Sequence, residues 1–265
     1  MSKTYRPLLV LAVLAATCCG TLTLAQQAAP IRDDCRDQQI VAPTDAGPVD
    51  PIPPLTPRPE LADLRVHLQF IQTYSDDPTD AWTTVEKQYE CAAAMRFEKV
   101  WQSQQFMDRV IKLPWMVLRE GENVQGPDLY KLLLQNHQIV MLVSIQTNGS
   151  GWAVSIPRGE TRITHTHIDR ANEGSDPRGT PLVLDLSDNL SHEYTHYQES
   201  GRSQDGRVQE DARYVSYGIG CMTENIASAS DRCDFDPSLP NLGRYTWVFP
   251  SNATEHIKKA KKKRS

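Results

Sequence analysis

The sequence predicts an α+β fold: helices first, then a small mixed sheet, then a helix carrying the chemistry. Three observations lead there. Apolar residues recur at helical spacing through 81–111, short apolar or alternating runs occupy 137–169, and His192-Glu193-Tyr194-Thr195-His196 forms an HExxH pattern within a helical stretch. On a helix, residues four apart share a face. Two imidazoles can therefore take two tetrahedral positions of one Zn²⁺ while the glutamate between them reaches a water.

The elements follow in chain order. Met1 to Ala25 has basic Lys3 and Arg6, an apolar run from Leu8 to Ala16, and Thr23-Leu24-Ala25 as a cleavage site, which marks residues 1–25 as a signal peptide. The apolar run is too short for a stable membrane span. Cys18 and Cys19 are not preceded by the residues lipoprotein processing needs, so plain export to a secreted or periplasmic location is expected. Residues 26–59 are read as a linker, because Ala42 to Pro59 alone contains seven prolines and few large apolar groups.

Folded structure is expected from Glu60, with a helical subdomain at 60–135. Leu61 to Tyr74 and Ala81 to Ile111 show helical spacing, and a short helix follows at Pro127 to Leu134. Trp82, Trp101 and Trp115 read as core aromatics and receive no function. A second region, 136–250, should hold the sheet and the HExxH helix. His137 to Gln146, Trp152 to Pro157 and Arg162 to Asp169 read as strands, with Asn148-Gly149-Ser150-Gly151 as the turn between the first two. His165 and His167 share one side of the third strand, which is a candidate edge for aligning an extended peptide.

The helix passes its own test of periodicity. Val183, Leu186, Leu190, Tyr194 and Tyr197 fall in one stripe at about 100° per residue, with His192 and His196 opposite. Leu182 and Leu184 lie outside that stripe. Thr180-Pro181 and Ser200-Gly201 supply start and stop signals. Three glycosylation sequons occur, at Asn148, Asn189 and Asn252, and the second reads as coincidence because it sits one turn before His192.

Composition sets outer limits. Lys plus Arg number 28 against 33 Asp plus Glu, a mildly acidic balance that gives no general case for nucleic-acid binding. Four cysteines remain beyond the signal peptide, Cys35, Cys91, Cys221 and Cys233, an even number suited to two disulfides with three possible pairings. Joining neighbours is the simplest. The basic tail at 251–265, with Lys258 to Arg264, suits an anionic envelope surface.

Asn189-Leu190-Ser191-His192-Glu193-Tyr194-Thr195-His196, followed by Tyr214-Val215-Ser216-Tyr217-Gly218-Ile219-Gly220, resembles a family of secreted bacterial zinc-metallopeptidase-like proteins with the pattern NLxHEWxHKxGFxH and then SVPYAIG. The resemblance implies a zincin-like fold, metal-dependent peptide-bond hydrolysis, His192 and His196 as zinc ligands and Glu193 as base. Tyr217 matches the tyrosine of the second motif and is the expected oxyanion donor, with Tyr214, His165 and His167 as substitutes. Where the family carries its third histidine this chain has Arg202, which cannot ligate zinc.

The third ligand must come from elsewhere. Val208, Ala212, Val215 and Ile219 form an apolar stripe at helical spacing that would set Glu210, Tyr214 and Tyr217 together on the opposite face. Glu210 is therefore the expected third ligand, with Asp205 and Asp211 as alternatives. Three functions fit: an exported zinc metalloendopeptidase, an inactive zincin-fold binding or inhibitory module, or a zinc hydrolase of cell-wall peptides.

Overall fold

The computed structural model describes residues 31–37, 52–72, 81–119, 122–146, 152–158, 161–167, 182–197 and 213–230, with 233 and 236–238. The expected signal peptide, the expected turn at 148–151, the expected helix-start residues Thr180 and Pro181, the expected stop at Ser200-Gly201, Asn252 and the basic tail lie outside them. The described residues mix helix and strand, as expected of an α+β chain.

A short turn of helix, α1 (Asp34–Asp37), is followed by a 3₁₀ turn at Pro59–Leu61 and strand β1 (Arg65–Phe70). Helix α2 (Thr84–Trp101) leads through Ser103 into α3 (Gln104–Val110). Then come β2 (Met116–Arg119), β3 (Glu122–Val124), α4 (Gly126–Leu133), β4 (Gln138–Gln146), β5 (Trp152–Arg158) and β6 (Thr161–His167). Helices α5 (Leu182–Tyr197) and α6 (Val215–Ser228) complete the order.

Side chains set the helix ends. Thr83 and Glu86 close a capping box on α2, each side chain bonding the other's backbone N–H. The helical run at 81–111 is broken at Ser103, whose Oγ donates to Val100 O at 2.6 Å and accepts from Phe106 N at 3.2 Å. One hydroxyl thus terminates α2 and caps α3.

The expected helix at 61–74 is corrected: residues 65–70 form β1. Val66, Leu68 and Phe70 recur at period two and are buried, so the short apolar run satisfied either pattern and β4 decided it by pairing parallel from Arg65↔Gln138 to Phe70↔Val143. The 60–135 segment is thus not purely helical. It supplies a strand to the same sheet as the residues after 136. The Pro-rich stretch also contributes, since Pro57 bridges Ser103 and Arg58 N donates to Gln102 O at 2.9 Å.

The sheet order is β1-β4-β6-β5, with β4–β6 parallel and β5–β6 antiparallel. Two expectations change with it. β4 and β5 are not hairpin partners, because β6 lies between them. β6 is interior and offers no edge, so the edge strand on that side is β5.

Helices α2 and α5 pack together, and both bond to β6 side chains. Thr166 Oγ1 donates to Glu90 of α2 at 3.0 Å, and Thr164 Oγ1 bonds Tyr197 OH of α5 at 3.1 Å. Between the helices lies an aromatic cluster in which Trp101 stacks on Phe106 and meets Phe97 and Tyr194 edge-on. Trp101 is core as expected, whereas Trp115 is 48% exposed. Both neighbouring cysteine pairs are bonded, Cys35–Cys91 and Cys221–Cys233, with Cα atoms 5.5 and 5.4 Å apart. No described helix is long and apolar enough to cross a membrane.

Candidate metal centre

Helix α5 is apolar around most of its first half. Leu182, Val183, Leu184, Leu186, Leu190 and Tyr194 are all buried, so the two leucines outside the expected stripe are core as well. Asn189 is half-buried with Nδ2 directed at Asp185 Oδ2, 3.4 Å away. That fits poorly with a glycan attachment point.

Helix α6 packs closely against α5. Tyr217 meets His192, Thr223 meets Ser191, and Gly220 lies against Asp188 and His192. The close approach requires a glycine. A Cβ at 220 would sit 2.1 Å from Asp188 Oδ1 and 3.0 Å from both Asp188 O and His192 Cβ. Behind the contact is a fully buried polar junction. Trp101 Nε1 donates to Ser191 Oγ and Thr223 Oγ1, both at 3.2 Å, and Thr223 passes its own proton to Ile219 O at 2.9 Å. The Ser191–Thr223 bond of 2.8 Å is then donated by Ser191. These bonds fix the rotation of α5 against α6 and α2 one residue before His192.

We expect Gly220→Ala to force the helices apart. Overpacking of this kind costs about 1–3 kcal/mol, and the same shift moves the His192 backbone. A lowered denaturant midpoint is the expected result. An unchanged midpoint would show that the contact is not tight.

His192, Glu193 and His196 bring ligand atoms within 4.8 Å of one another. The His192 and His196 Nε2 atoms are 3.4 Å apart, with their rings edge-on. A tetrahedral zinc with Zn–N near 2.0–2.1 Å needs its ligand nitrogens about 3.3–3.4 Å apart, so the spacing fits one ion. Glu193 Oε1 is 3.7 Å from His192 Nε2, and Glu193 Oε2 is buried with no hydrogen-bond partner among the described residues. A buried carboxylate oxygen is costly unless something meets it.

The Tyr217 ring packs edge-on against His192, with centroids 4.6 Å apart. The helix expected to carry Glu210, Tyr214 and Tyr217 on one face is corrected. Tyr214 is extended, with φ −77° and ψ 135°, and bridges Val117 of β2, so α6 begins only at Val215. Val117 N holds the chain there by donating to Arg213 O at 2.7 Å. Pairing to β2 outweighed the continuous apolar stripe. Glu210, Asp205, Asp211 and Arg202 lie outside the described residues. His165 and His167 are backbone positions of β6, paired to Val154 and Trp152.

Asp188, Glu224 and Cys233 also converge within 4.8 Å, but Cys233 is bonded to Cys221 and offers no thiolate. Sequence reasoning missed the Gly220 contact and the Trp101–Ser191–Thr223 junction. The available signal was the pair of small residues Gly218 and Gly220 within the helix. Comparison of the chain with family models, curated proteins and solved structures finds no match among any of them.

Proposed function

We propose that this chain is an exported zinc metalloendopeptidase with a zincin-like fold, in which His192 and His196 hold the metal and Glu193 is the base. The reading rests chiefly on the 3.4 Å separation of the two Nε2 atoms beside a buried Glu193 oxygen that has no partner among the described residues. Zinc held there supplies Lewis acidity, polarising a scissile carbonyl and acidifying water. Glu193 takes the proton of the attacking water and delivers it to the leaving amine. Tyr217 braces the His192 ring, and its hydroxyl is assigned to the developing oxyanion.

The substrate is assigned to β5. This edge strand runs beside α5, and no described strand pairs its outer side. An extended peptide adding to β5 gains main-chain hydrogen bonds next to the HExxH helix. Export is supported by the leader sequence and by two disulfides, which persist in oxidising compartments.

Arg202, standing where the resembled family has a histidine, favours a second reading as an inactive binding module. Metal analysis of the purified protein separates the two. The peptidase reading expects one zinc per chain, lost in His192→Ala and in His196→Ala, and proteolysis of an unstructured protein that a chelator abolishes and zinc restores. Protein that takes up no zinc at micromolar free metal would overturn it.

A further inference from the structure

Strand β1 forms the sheet edge opposite β5. Arg65 N and Ile71 N donate toward β4, to His137 O at 2.7 Å and Val143 O at 2.9 Å. Hydrogen-bonding direction alternates along a strand, so the backbone groups of Val66, Leu68 and Phe70 face outward. Side chains meet three of those groups. Phe70 N donates to Asp34 Oδ2 at 2.8 Å, Arg36 Nη1 donates to Val66 O at 3.2 Å, and Val66 N donates to Glu98 Oε2 at 3.3 Å. Arg36 Nη2 also holds that Glu98 oxygen, at 2.6 Å. Gln69 Nε2 adds a bond of 3.2 Å to Arg32 O.

Asp34 and Arg36 thus stand in for a neighbouring strand. They flank Cys35, whose disulfide to Cys91 anchors α1 to α2. A helix of four residues has no stability of its own, so its position depends on that bond, on these side-chain contacts and on the buried bond of Asp33 Oδ2 to His67 Nδ1 of β1 at 3.0 Å.

We propose that residues 32–37 are a displaceable cap on the β1 edge, latched by Cys35–Cys91, and that the unlatched edge is taken by β1 of a second copy of this chain. The strand is self-complementary for this. Under a two-fold axis through Leu68, Val66 faces Phe70, Leu68 faces its own copy and Phe70 faces Val66. All three residues point outward, so each opposed pair exchanges two N–H···O bonds. An axis perpendicular to the sheet also keeps Val66, Leu68 and Phe70 on their buried face, and the two four-stranded sheets become continuous. Unlatching needs a dithiol reductant. One of its thiolates attacks a disulfide sulfur to give a mixed disulfide, and the other displaces the second cysteine; two electrons pass to Cys35 and Cys91, which leave as thiols, while the reductant leaves as its disulfide.

The test compares the full exported chain in its oxidised form with Cys35→Ser/Cys91→Ser, because a reductant alone would also open Cys221–Cys233. Sedimentation gives the association state, and hydrogen exchange reads the Val66, Leu68 and Phe70 amides. The oxidised parent is expected to be monomeric with slow exchange at Phe70. The double variant is expected to dimerise on concentration, and on dilution its Phe70 amide should exchange roughly tenfold or more faster than the parent's. A monomeric double variant with parent-like Phe70 exchange would overturn the proposal, as would a dimer whose β1 amides stay as exposed as in the monomer. Should the double variant unfold, Asp34→Asn/Arg36→Gln with the disulfide intact decides. Faster Phe70 exchange in a monomer supports the cap, and unchanged exchange refutes it.

Discussion

Glu193→Gln is expected to bind zinc as the parent does while losing about 10²–10⁴ of its turnover on an unstructured protein substrate. Gln keeps the shape and the burial of the side chain, and the Nε2 atoms of His192 and His196, one helical turn apart, keep their 3.4 Å separation. Only the capacity to accept a proton disappears. Glu193 Oε2, buried and without a hydrogen-bond partner among the described residues, gives this prediction its structural basis, because unlike the equally unpartnered Glu90 Oε2 it lies beside two converging imidazoles. His192→Ala should behave differently, losing metal and turnover together. The informative result is the separation of the two properties. A Gln variant as active as the parent would remove Glu193 from the mechanism, and one that also loses zinc would make the carboxylate a ligand rather than a base.

The HExxH helix was legible because its signal is local. Ligand spacing, the opposed apolar stripe and the intervening glutamate all lie within one element, and 182–197 forms as a single helix. The disulfide pairs were legible for a similar reason: neighbours in order are neighbours in space. What failed depended on partners distant in sequence. The 65–70 run satisfied both periods until β4 claimed it, and the stripe from Val208 to Ile219 suggested one helix until β2 paired with residue 214. Strand order was equally hidden. Nothing in His137 to Asp169 indicates that the third strand inserts between the first two, and that insertion moves the open edge from β6 to β5. The phase of α5 on α6 required Gly220 to be recognised as a contact rather than as a weak helix former, which a single sequence does not reveal.

Glu90→Gln is expected to stabilise the protein near neutral pH and to flatten its pH dependence. Glu90 is fully buried on α2; desolvation pushes its pKa up from 4.5 to about 8, against the smaller opposing effect of the bond from Thr166. Its second carboxyl oxygen has no hydrogen-bond partner among the described residues. Between pH 4.5 and about 8 the folded chain therefore holds a proton that the unfolded chain has released. Under linkage, stability is greatest below the unfolded pKa, falls as pH rises through this window and levels off beyond the folded pKa. At pH 7 the loss is on the order of 3 kcal/mol, from roughly 1.4 kcal/mol per pKa unit, a substantial part of the 5–15 kcal/mol typical of a whole domain. Gln can accept the same Thr166 bond and has no proton to hold, so its unfolding free energy should vary far less across the window. Denaturant unfolding at pH 5, 7 and 8 measures both slopes, and a variant retaining the parent's decline would place its origin in another group. The consequence reaches the candidate metal centre through position: Thr166 of β6 bonds Glu90 of α2, and α2 also carries Trp101, which fixes Ser191 beside His192. Charging Glu90 above pH 8 weakens the layer on which α5 rests, so activity should fall at alkaline pH in the parent and persist further in Glu90→Gln.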